Sequence, residues 1–505
     1  MYNAIFQAIP VVFSIKSLLL MFLGTGLGIA IGAMPGLTAS MGVALLIPLT
    51  FGMPPAYGLI LLGSIYCGAI FGGSISAILL NVPGTPSSAA TVFDGFPMTQ
   101  RGEADKALKI STTASFTGGI ISAFVLLFLA PPLARIALMF GASEYFWLAL
   151  LGLSVIVSLS SANIVKGFLA AAFGLFVGSI GLDSLTGVPR FTFGVPNLLD
   201  GVDVIVLLIG LFSIPQALEM IESETVNKVP EIIERGVACK FRELWHEIAH
   251  VCWPTYIRSS ILGTIIGIIP GTGGNVATFL GYEQAKRFSK HPEKFGTGWS
   301  EGVAGSEAAN NGVTGGALVP LLTLGIPGDS VTAIMLGGLL IHGLQPGPRL
   351  FVQHPDVVYT FMVGMVVINV VMLIMGYFGS YLFAKVAKVP YSIVGPMVIA
   401  LSVVGTYAIK NSMFDVGLML FFGFIGYIMR KLAIPAGPAV LALILGPMAE
   451  ENWRRAMLIS GGEIGYMFSG ILNLVLIVLF LLVLGVGIAT FIKKGKRTEE
   501  FEADA

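Results

Sequence analysis

Charged residues are scarce in this chain. Only 11% of its 505 residues are Asp, Glu, Lys or Arg, whereas 55% are hydrophobic. A soluble domain carries about 25% charged residues, so this chain cannot cover a water-facing surface of ordinary size. The 28 basic and 28 acidic residues cancel to a net charge of zero, and no charge imbalance indicates a nucleic-acid partner.

Cysteine is rare and a nucleotide-binding loop is missing. Cys67, Cys239 and Cys252 follow no pattern, so neither a disulfide framework nor a cysteine metal site is predicted. No G-x-x-x-x-G-K-[ST] sequence occurs, so a phosphate-binding loop for ATP is not predicted. The N-terminal segment lacks a basic region ahead of its first apolar run, and we interpret it as a retained membrane span rather than a cleaved signal peptide.

Apolar sequence, in contrast, is abundant. Runs of about twenty apolar residues recur along the chain, and that length of helix crosses a bilayer core. The pattern predicts an all-α polytopic membrane protein with about 10–12 transmembrane helices. The basic residues Lys385 with Lys388, Arg430 with Lys431, and 493–497 can all face the cytoplasm. This predicts a cytoplasmic C-terminus and a cytoplasmic polar connection at 219–258.

One motif in that connection is typical of an enzyme. His246-Glu247-Ile248-Ala249-His250 has the H-E-x-x-H spelling, in which two histidines on one helix face bind zinc and the glutamate polarises a water. Residues 240–252, however, place apolar side chains at helical spacing opposite both histidines, as in an amphipathic helix with a solvated polar face. None of the other histidines sits in a partner motif: His291, His342 and His354. We prefer an incidental match and keep an intramembrane zinc metalloprotease as the alternative.

An internal repeat is the stronger signal. "GAMPG" at 32–36 matches "GIIPG" at 267–271, and "NVPGT" at 81–85 matches "GIPGD" at 325–329. Proline removes a helix hydrogen bond and glycine tolerates positive φ, so each pair interrupts a helix or turns a re-entrant hairpin. Matched interruptions in two halves mark a transporter's central site, although surface turns are the simpler alternative. The predicted helix-breaking residues are Pro35, Pro83, Pro270 and Pro327.

Small polar residues flank the four breaks. Hydroxyls, amides and the N–H groups of helix N-termini suit an anionic carboxylate, whereas carboxylate, amide and carbonyl oxygens suit a small hard cation. The predicted substrate-binding residues are Gly36, Thr38, Ser40, Asn81, Gly84, Thr85, Ser87, Ser88, Gly271, Thr272, Asn275, Asn310, Asn311, Gly328 and Ser330. The predicted ion-coupling residues are Asp94, Glu307 and Asp329. Asp329 corresponds to Thr85 in the first copy, and a helix N-cap is its alternative role.

These motifs carry a family resemblance. The chain resembles the large membrane subunit of the tripartite tricarboxylate transporters, the TctA family, in "GAMPGLTASMGVALLIPLTFGM", "NVPGTPSSAATVFDGFPMTQRGEADKAL", "IIGIIPGTGGN" and "EGVAGSEAANNGVTGGALVPLLTLGIPGDSVTAIMLGGLLIHGLQPGP". The resemblance implies a non-enzyme that takes up citrate or related di- and tricarboxylates across a bacterial inner membrane. It also implies two partners, a small membrane subunit and a periplasmic solute-binding protein. A sodium or proton gradient is expected to drive uptake, with no cofactor besides that coupling ion.

The predicted organisation follows the repeat. Residues 1–218 form a first membrane half, 219–258 a cytoplasmic amphipathic linker, 259–492 a second membrane half and 493–505 a cytoplasmic tail. The strong basic flank follows the first copy but precedes the second, so the two copies are predicted to have inverted topology. A carrier is preferred to the metalloprotease and to a third alternative, a channel or membrane scaffold, which would lack saturable, ion-coupled uptake.

Overall fold

The computed structural model describes residues 2–34, 37–159, 164–183, 185–222, 239–271, 273–386 and 391–485. Helices form most of this part of the chain. The first ten are α1 (Tyr2–Val12), α2 (Ile15–Ala33), α3 (Ala39–Thr50), α4 (Pro55–Leu80), α5 (Val92–Gln100), α6 (Ala104–Ala137), α7 (Ala142–Leu159), α8 (Ile164–Gly178), α9 (Val204–Leu208) and α10 (Ile214–Glu222). The next five are α11 (Phe241–Glu247), α12 (Trp253–Ile268), α13 (Gly273–Phe288), α14 (Ser300–Leu324) and α15 (Ser330–Ile341). The last six are α16 (Leu350–Gln353), α17 (Pro355–Val386), α18 (Tyr391–Lys410), α19 (Met413–Lys431), α20 (Gly437–Ile459) and α21 (Ile471–Gly485).

Shorter elements complete the described fold. The strands β1 (Gly181–Leu182) and β2 (Pro189–Arg190) pair antiparallel, with Gly181 opposite Arg190 and Leu182 opposite Pro189. Four 3-10 segments are present: Pro86–Thr91, Pro196–Leu198, Pro292–Lys294 and Ile464–Phe468. Two π-helical turns, Ile209–Ser213 and Ile248–Cys252, join α9 to α10 and α11 to α12.

Several helices suit a bilayer. Among the described residues, six are long and apolar enough to cross a membrane: Ile15–Ala33, Pro55–Leu80, Ala104–Ala137, Val204–Glu222, Pro355–Lys385 and Met413–Lys431. Shorter apolar helices accompany them, including α3, α8 and α15. The chain is therefore an all-α, multi-pass membrane protein, and a total of about ten to twelve crossings remains a prediction.

Two compact units divide the chain. One comprises Met1–Arg135 with Gln216–Ile409, and the other comprises Ile136–Pro215 with Lys410–Ala505. Each unit thus takes one block of sequence from each predicted membrane half. The predicted boundaries of halves, linker and tail remain predictions, and residues 223–238 of the linker and the whole tail lie outside the described residues.

Helix ends adjoin all four Pro-Gly sequences. α2 ends at Ala33 and α3 begins at Ala39, while α12 ends at Ile268 and α13 begins at Gly273. The C-caps of α4 and α14 are both left-handed: Asn81 has a φ of 60° and Gly325 a φ of 74°. Helix ends therefore lie beside the Pro-Gly sequences, and residues that accept positive φ cap α4 and α14. The helix-breaking roles of the prolines remain predictions.

Helix α14 is polar in composition yet buried along nearly its whole length. Every residue from Ser300 to Thr323 is buried, including Glu307, Asn310 and Asn311. Buried polar groups are costly unless they are hydrogen-bonded or serve a function. The polar side chains of α14 are therefore candidate site residues.

The predicted amphipathic helix is present as α11 and the π-helical turn Ile248–Cys252. Leu244 is buried, and Phe241 and Ile248 line an apolar pocket of about 300 Å³ with Tyr377 and Phe378. The apolar residues therefore share one face, as their helical spacing predicted.

Candidate substrate and ion site

Four helical segments begin directly after the breaks, and the three N-caps among the described residues are polar. Thr38 caps α3 by accepting the Met41 N–H at 3.2 Å, and Asp329 caps α15 by accepting the Thr332 N–H at 2.8 Å. Thr85 precedes the segment Pro86–Thr91, which continues into α5. Gly273 begins α13. The first N–H groups of a helix lack intrahelical partners and attract anions, so each start is a potential contact for a carboxylate.

The four starts lie against one another within the first compact unit. Ser40 Oγ lies 3.0 Å from Ser330 Oγ, which joins the starts of α3 and α15. A Cβ on Gly273 would lie 3.4 Å from Asp329 Cβ, which joins the starts of α13 and α15. The 3-10 segment Pro86–Thr91 joins the group through Ser87, as described next. The sequence breaks therefore meet in space.

Asn310 lies at the meeting point without a hydrogen-bond partner. A Cβ on Gly274 would lie 2.9 Å from Asn310 Oδ1 and 3.0 Å from Ser87 Cβ, so the amide and Ser87 both flank the start of α13. Asn310 is 0% exposed, and neither Oδ1 nor Nδ2 has a partner among the described residues. An unpaired buried amide costs about 1–3 kcal/mol. A ligand or an ordered water can supply the missing partner.

Asp329 combines its cap with a contact from the centre of α4. Tyr66, which is fully buried, donates its OH to Asp329 Oδ2 at 2.7 Å. Thr332 Oγ1 accepts the Asp329 N–H at 2.9 Å, so cap and cap partner satisfy each other in a capping box. The alternative N-cap role of Asp329 is present, and a role in ion coupling remains a proposal.

Glu307 lies in a separate cluster of hydroxyl groups. Its carboxylate accepts hydrogen bonds from Thr91 Oγ1 and, at 3.1 Å, from Ser115 Oγ. Asn311 Nδ2 donates to the same Ser115 Oγ at 2.8 Å, and Asn311 Oδ1 has no partner among the described residues. Carboxylate, hydroxyl and amide oxygens together are the donor set of a small hard cation, and a buried carboxylate without a basic partner also suits a proton.

Asp94, the third acidic candidate, is fully engaged by the protein. Its Oδ1 accepts the backbone N–H groups of Gly296 at 2.9 Å, Gly298 at 2.8 Å and Trp299 at 2.7 Å. Its Oδ2 accepts the Tyr282 OH at 2.9 Å. The carboxylate therefore holds the 296–299 loop, and this structural role competes with the predicted role in ion coupling.

The remaining predicted residues occupy varied places. Asn81 is an exposed left-handed C-cap, Asn275 is exposed in the first turn of α13, and Ser88 is buried beside Thr85. Gly271 donates its N–H to the Gly328 carbonyl at 2.8 Å, and Gly84 donates to the Gly73 carbonyl at 3.1 Å. Pro327 is buried, and Pro83 and Pro270 are partly buried. Three predicted residues lie outside the described residues: Pro35, Gly36 and Thr272.

Sequence reasoning missed Tyr66, Thr91 and Ser115. Tyr66 lies 244 positions before Asn310, so the alignment of the two copies was a signal that could have identified it. Thr91 and Ser115 are ordinary hydroxyl residues in apolar sequence. Only the packing of the Thr91 and Ser115 side chains onto Glu307 distinguishes them.

The close contacts of two helix pairs correspond residue for residue. A Cβ on Gly28 would lie 2.4 Å from the Ile65 carbonyl oxygen, and one on Gly263 would lie 2.1 Å from that of Ala309. Gly263 lies 235 positions after Gly28, and Ala309 lies 244 positions after Ile65. Four further contacts, each between a glycine and the backbone it packs on, have counterparts at the same two offsets. They are Gly32–Ala69 with Gly267–Val313, Gly68–Thr25 with Gly312–Ser260, Gly72–Ile29 with Gly316–Thr264, and Gly84–Gly32 with Gly328–Gly267. These glycines let α2 reach α4, and α12 reach α14, at backbone contact distance.

The H-E-x-x-H residues lie on α11 and the π-helical turn that precedes α12. His246 and His250 are exposed, and their rings stack with centroids 4.4 Å apart. Glu247 forms an ion pair with Lys106 at 3.0 Å. In the described part of the chain, no group of three or more His, Cys, Asp or Glu side chains is placed to hold a metal ion. A glutamate held by a lysine is poorly placed to polarise a zinc-bound water.

Comparison with known proteins identifies similar sequences. Residues 18–441 match the family model described as the tripartite tricarboxylate transporter TctA family. An Agrobacterium vitis protein, described as an uncharacterized 52.8 kDa protein in the TAR-I ttuC' 3'region, is 37% identical over 445 residues, 88% of this chain and 87% of its own length. A second A. vitis protein, from the TAR-II ttuC' 3'region, is 36% identical over 201 residues, 40% of this chain and 83% of its own length. No solved structure matches.

Proposed function

Because the chain belongs to the tripartite tricarboxylate transporter TctA family, we propose that it is an ion-gradient-driven carrier of carboxylates. The chain is a multi-pass membrane component of a transporter family rather than a member of an enzyme family. In the proposal it is the large subunit in a bacterial inner membrane. It works with a small membrane subunit and receives citrate or a related carboxylate from a periplasmic solute-binding protein.

One observation carries the proposal of a carboxylate site. Four helical segments begin within contact of one another, and the buried Asn310 amide beside them has no partner among the described residues. A di- or trivalent anion must have its lost hydration replaced when it enters a protein interior. Helix-start N–H groups, hydroxyls and an unpaired amide can replace it without a buried arginine.

The acidic residues near the site support coupling to cations. Asp329 contributes a carboxylate at the start of α15, and Glu307 lies one helical turn from Asn310 and Asn311 on α14. These carboxylates repel an anionic substrate unless sodium ions or protons neutralise them. Each cation bound would strengthen substrate binding, and by linkage the substrate would strengthen cation binding. Such reciprocal binding is what couples uptake to a gradient.

The residue-for-residue contacts of α2–α4 and α12–α14 support two copies of one repeat. Both helix pairs lie in the compact unit formed by Met1–Arg135 and Gln216–Ile409. Inverted copies place their broken helices at a common midplane site and let one part move against the other. We therefore propose that the copies are inverted and that transport proceeds by alternating access around the four breaks.

Gradient-driven uptake into proteoliposomes tests the proposal. The large and small subunits are reconstituted together, the purified binding protein is added, and labelled citrate, malate and succinate are screened. Sodium and proton gradients are imposed separately. The expected result is saturable uptake of at least one carboxylate that needs the binding protein and one of the gradients. Non-saturable flux in every arm would support a channel instead, and absence of flux for every carboxylate would contradict the proposal.

A further inference from the structure

The second copy of the repeat keeps a carboxylate of its own at its break. Asp329 Oδ1 accepts the Thr332 N–H at 2.8 Å at the start of α15, and Asp329 Oδ2 accepts the Tyr66 OH at 2.7 Å. A backbone N–H and a side-chain donor from the middle of the opposite copy therefore hold this anionic group. This is the chemistry that a substrate carboxylate needs.

The first copy has the same arrangement without the carboxylate. Thr85 corresponds to Asp329, since it lies 244 positions earlier, and Ser88 corresponds to Thr332. Ser88 Oγ accepts the Thr85 N–H at 3.4 Å, as Thr332 Oγ1 accepts the Asp329 N–H at 2.9 Å. The backbone cap is thus repeated, but the threonine supplies no negative charge.

The donor that corresponds to Tyr66 is Asn310, 244 positions later. Tyr66 is bonded to the carboxylate of Asp329, whereas Asn310, 0% exposed, has both amide atoms unpartnered among the described residues. Asn310 flanks Gly274 together with Ser87, which lies two residues after Thr85. The unpartnered amide is therefore beside the place where the first copy lacks a carboxylate.

A second asymmetry concerns the contact between the helix starts. The starts of α3 and α15 are joined by the Ser40–Ser330 contact at 3.0 Å. The corresponding pair of starts is that of α13 and the 3-10 segment Pro86–Thr91. There, Asn275 corresponds to Ser40, 235 positions earlier, and Pro86 corresponds to Ser330, 244 positions later. Asn275 and Pro86 are both exposed, and the proline has no N–H to donate. Two hydroxyls bridge the side that holds Asp329. On the side that holds Thr85, Asn275 and Pro86 carry no hydroxyl and cannot form that bridge, although Thr85 and Ser87 are themselves buried.

We propose that a substrate carboxylate occupies, in the first copy, the position that the Asp329 carboxylate occupies in the second. The hydroxyls of Thr85 and Ser87 and the amide of Asn310 bind it there, and rotation of the amide presents Nδ2 to the anion. Asp329 is then a permanent internal ligand that keeps the equivalent position filled. Although the site is nearly symmetric, only the position in the first copy is then free for a substrate carboxylate. This inference rests on the proposed carboxylate transport.

Substitution of Thr85 tests the inference directly. Thr85→Asp places a tethered carboxylate where the substrate carboxylate is proposed to bind, and Thr85→Asn is the uncharged control of nearly equal size. The complex of large and small subunits in nanodiscs is titrated with citrate, malate and succinate, and binding is read from the ligand-induced rise in melting temperature. We expect Thr85→Asp to weaken binding by at least about 100-fold because like charges would share one position. Thr85→Asn is expected to weaken it by no more than about tenfold, the loss of one neutral hydrogen bond.

A second pair of variants keeps the inference falsifiable if Thr85→Asp does not fold. Asn310→Ala removes the proposed donor and is expected to weaken carboxylate binding about 10- to 100-fold. Ser111→Ala removes a buried hydroxyl bonded to Ser74 at 2.8 Å and is expected to leave binding unchanged. If the parent binds a carboxylate and either Thr85→Asp matches Thr85→Asn or Asn310→Ala matches Ser111→Ala, the assignment is wrong. A parent that binds none of the three carboxylates contradicts the proposed function itself.

Discussion

Gly84 lies so close to Gly32 that a Cβ on it would be 2.0 Å from the Gly32 carbonyl oxygen, and Gly328 stands in the same relation to Gly267, at 2.6 Å. In each case a glycine after the second break packs on the helix that ends at the first break. The close approach holds Gly84 against the end of α2 and Gly328 against the end of α12.

Alanine at Gly84 is therefore expected to destabilise the fold. The obstructing atom is backbone, which cannot rotate away, so we expect a loss of about 3 kcal/mol or more and poor recovery of folded protein. Gly417→Ala is the control, since a Cβ at this position on α19 would meet no described atom within 4 Å beyond its own stretch of helix. That change is expected to be neutral or to stabilise by up to about 1 kcal/mol. Melting temperature and size-exclusion profiles compare the two, and equal behaviour would refute the close-packing argument.

Replacing both histidines of the H-E-x-x-H motif is expected to leave transport intact. His246→Gln with His250→Gln changes an exposed helix face, where substitutions cost about 0.5 kcal/mol or less. Uptake and melting temperature of the double variant check this. Metal analysis of the purified parent completes the test. Loss of uptake together with stoichiometric zinc in the parent would favour the metalloprotease.

Asp94→Asn is expected to reduce stability without changing ion dependence. The carboxylate accepts three backbone N–H groups and the Tyr282 OH, and hydrogen bonds to a charged group contribute more than those to a neutral one, so the loss should be about 2 kcal/mol. The sodium and pH dependence of the remaining uptake should match that of the parent. A changed coupling ion or stoichiometry in a fully stable Asp94→Asn protein would assign Asp94 to coupling instead.

Glu307→Gln is expected to separate exchange from accumulation. Glutamine can keep hydrogen bonds to Thr91 and Ser115 but carries no charge and cannot exchange a proton or bind a cation as tightly. Carboxylate counterflow, which needs no gradient, should persist, while gradient-driven accumulation should fall to the level of equilibration. Accumulation equal to that of the parent under both gradients would exclude Glu307 from coupling.

Local sequence rules describe helix ends and caps at the candidate site better than they describe the contacts between distant side chains. Helix ends lie beside the Pro-Gly sequences, and the N-cap, one of the two roles considered for Asp329, is present. Both features depend on a few neighbouring residues. Asn81 illustrates the limit. Its side chain suggested a ligand, whereas its backbone occupies the left-handed C-cap that Gly325 occupies in the second copy.

Contacts between distant segments were beyond sequence reasoning. The Tyr66–Asp329 bond spans 263 positions and the Thr91–Glu307 bond 216, and both depend on how helices pack rather than on any local pattern. The engagement of Asp94 by the 296–299 loop is of the same kind. The sequence offered the helix cap as an alternative only for Asp329, and packing alone distinguishes Asp94 as a loop anchor from Glu307 as a buried carboxylate among hydroxyls.

The most direct test of the account is the initial rate of carboxylate uptake by Asn310→Leu in proteoliposomes with the small subunit, the binding protein and the gradient that drives the parent. Asn452→Leu is the control, since Asn452 lies in the other compact unit and donates to the Met448 carbonyl at 2.8 Å. We predict that uptake by Asn310→Leu falls to the rate of empty liposomes while its melting temperature stays equal to or above that of the parent, because leucine removes an unpaired buried amide. Parent-like uptake by Asn310→Leu, with Asn452→Leu also unaffected, would contradict the account.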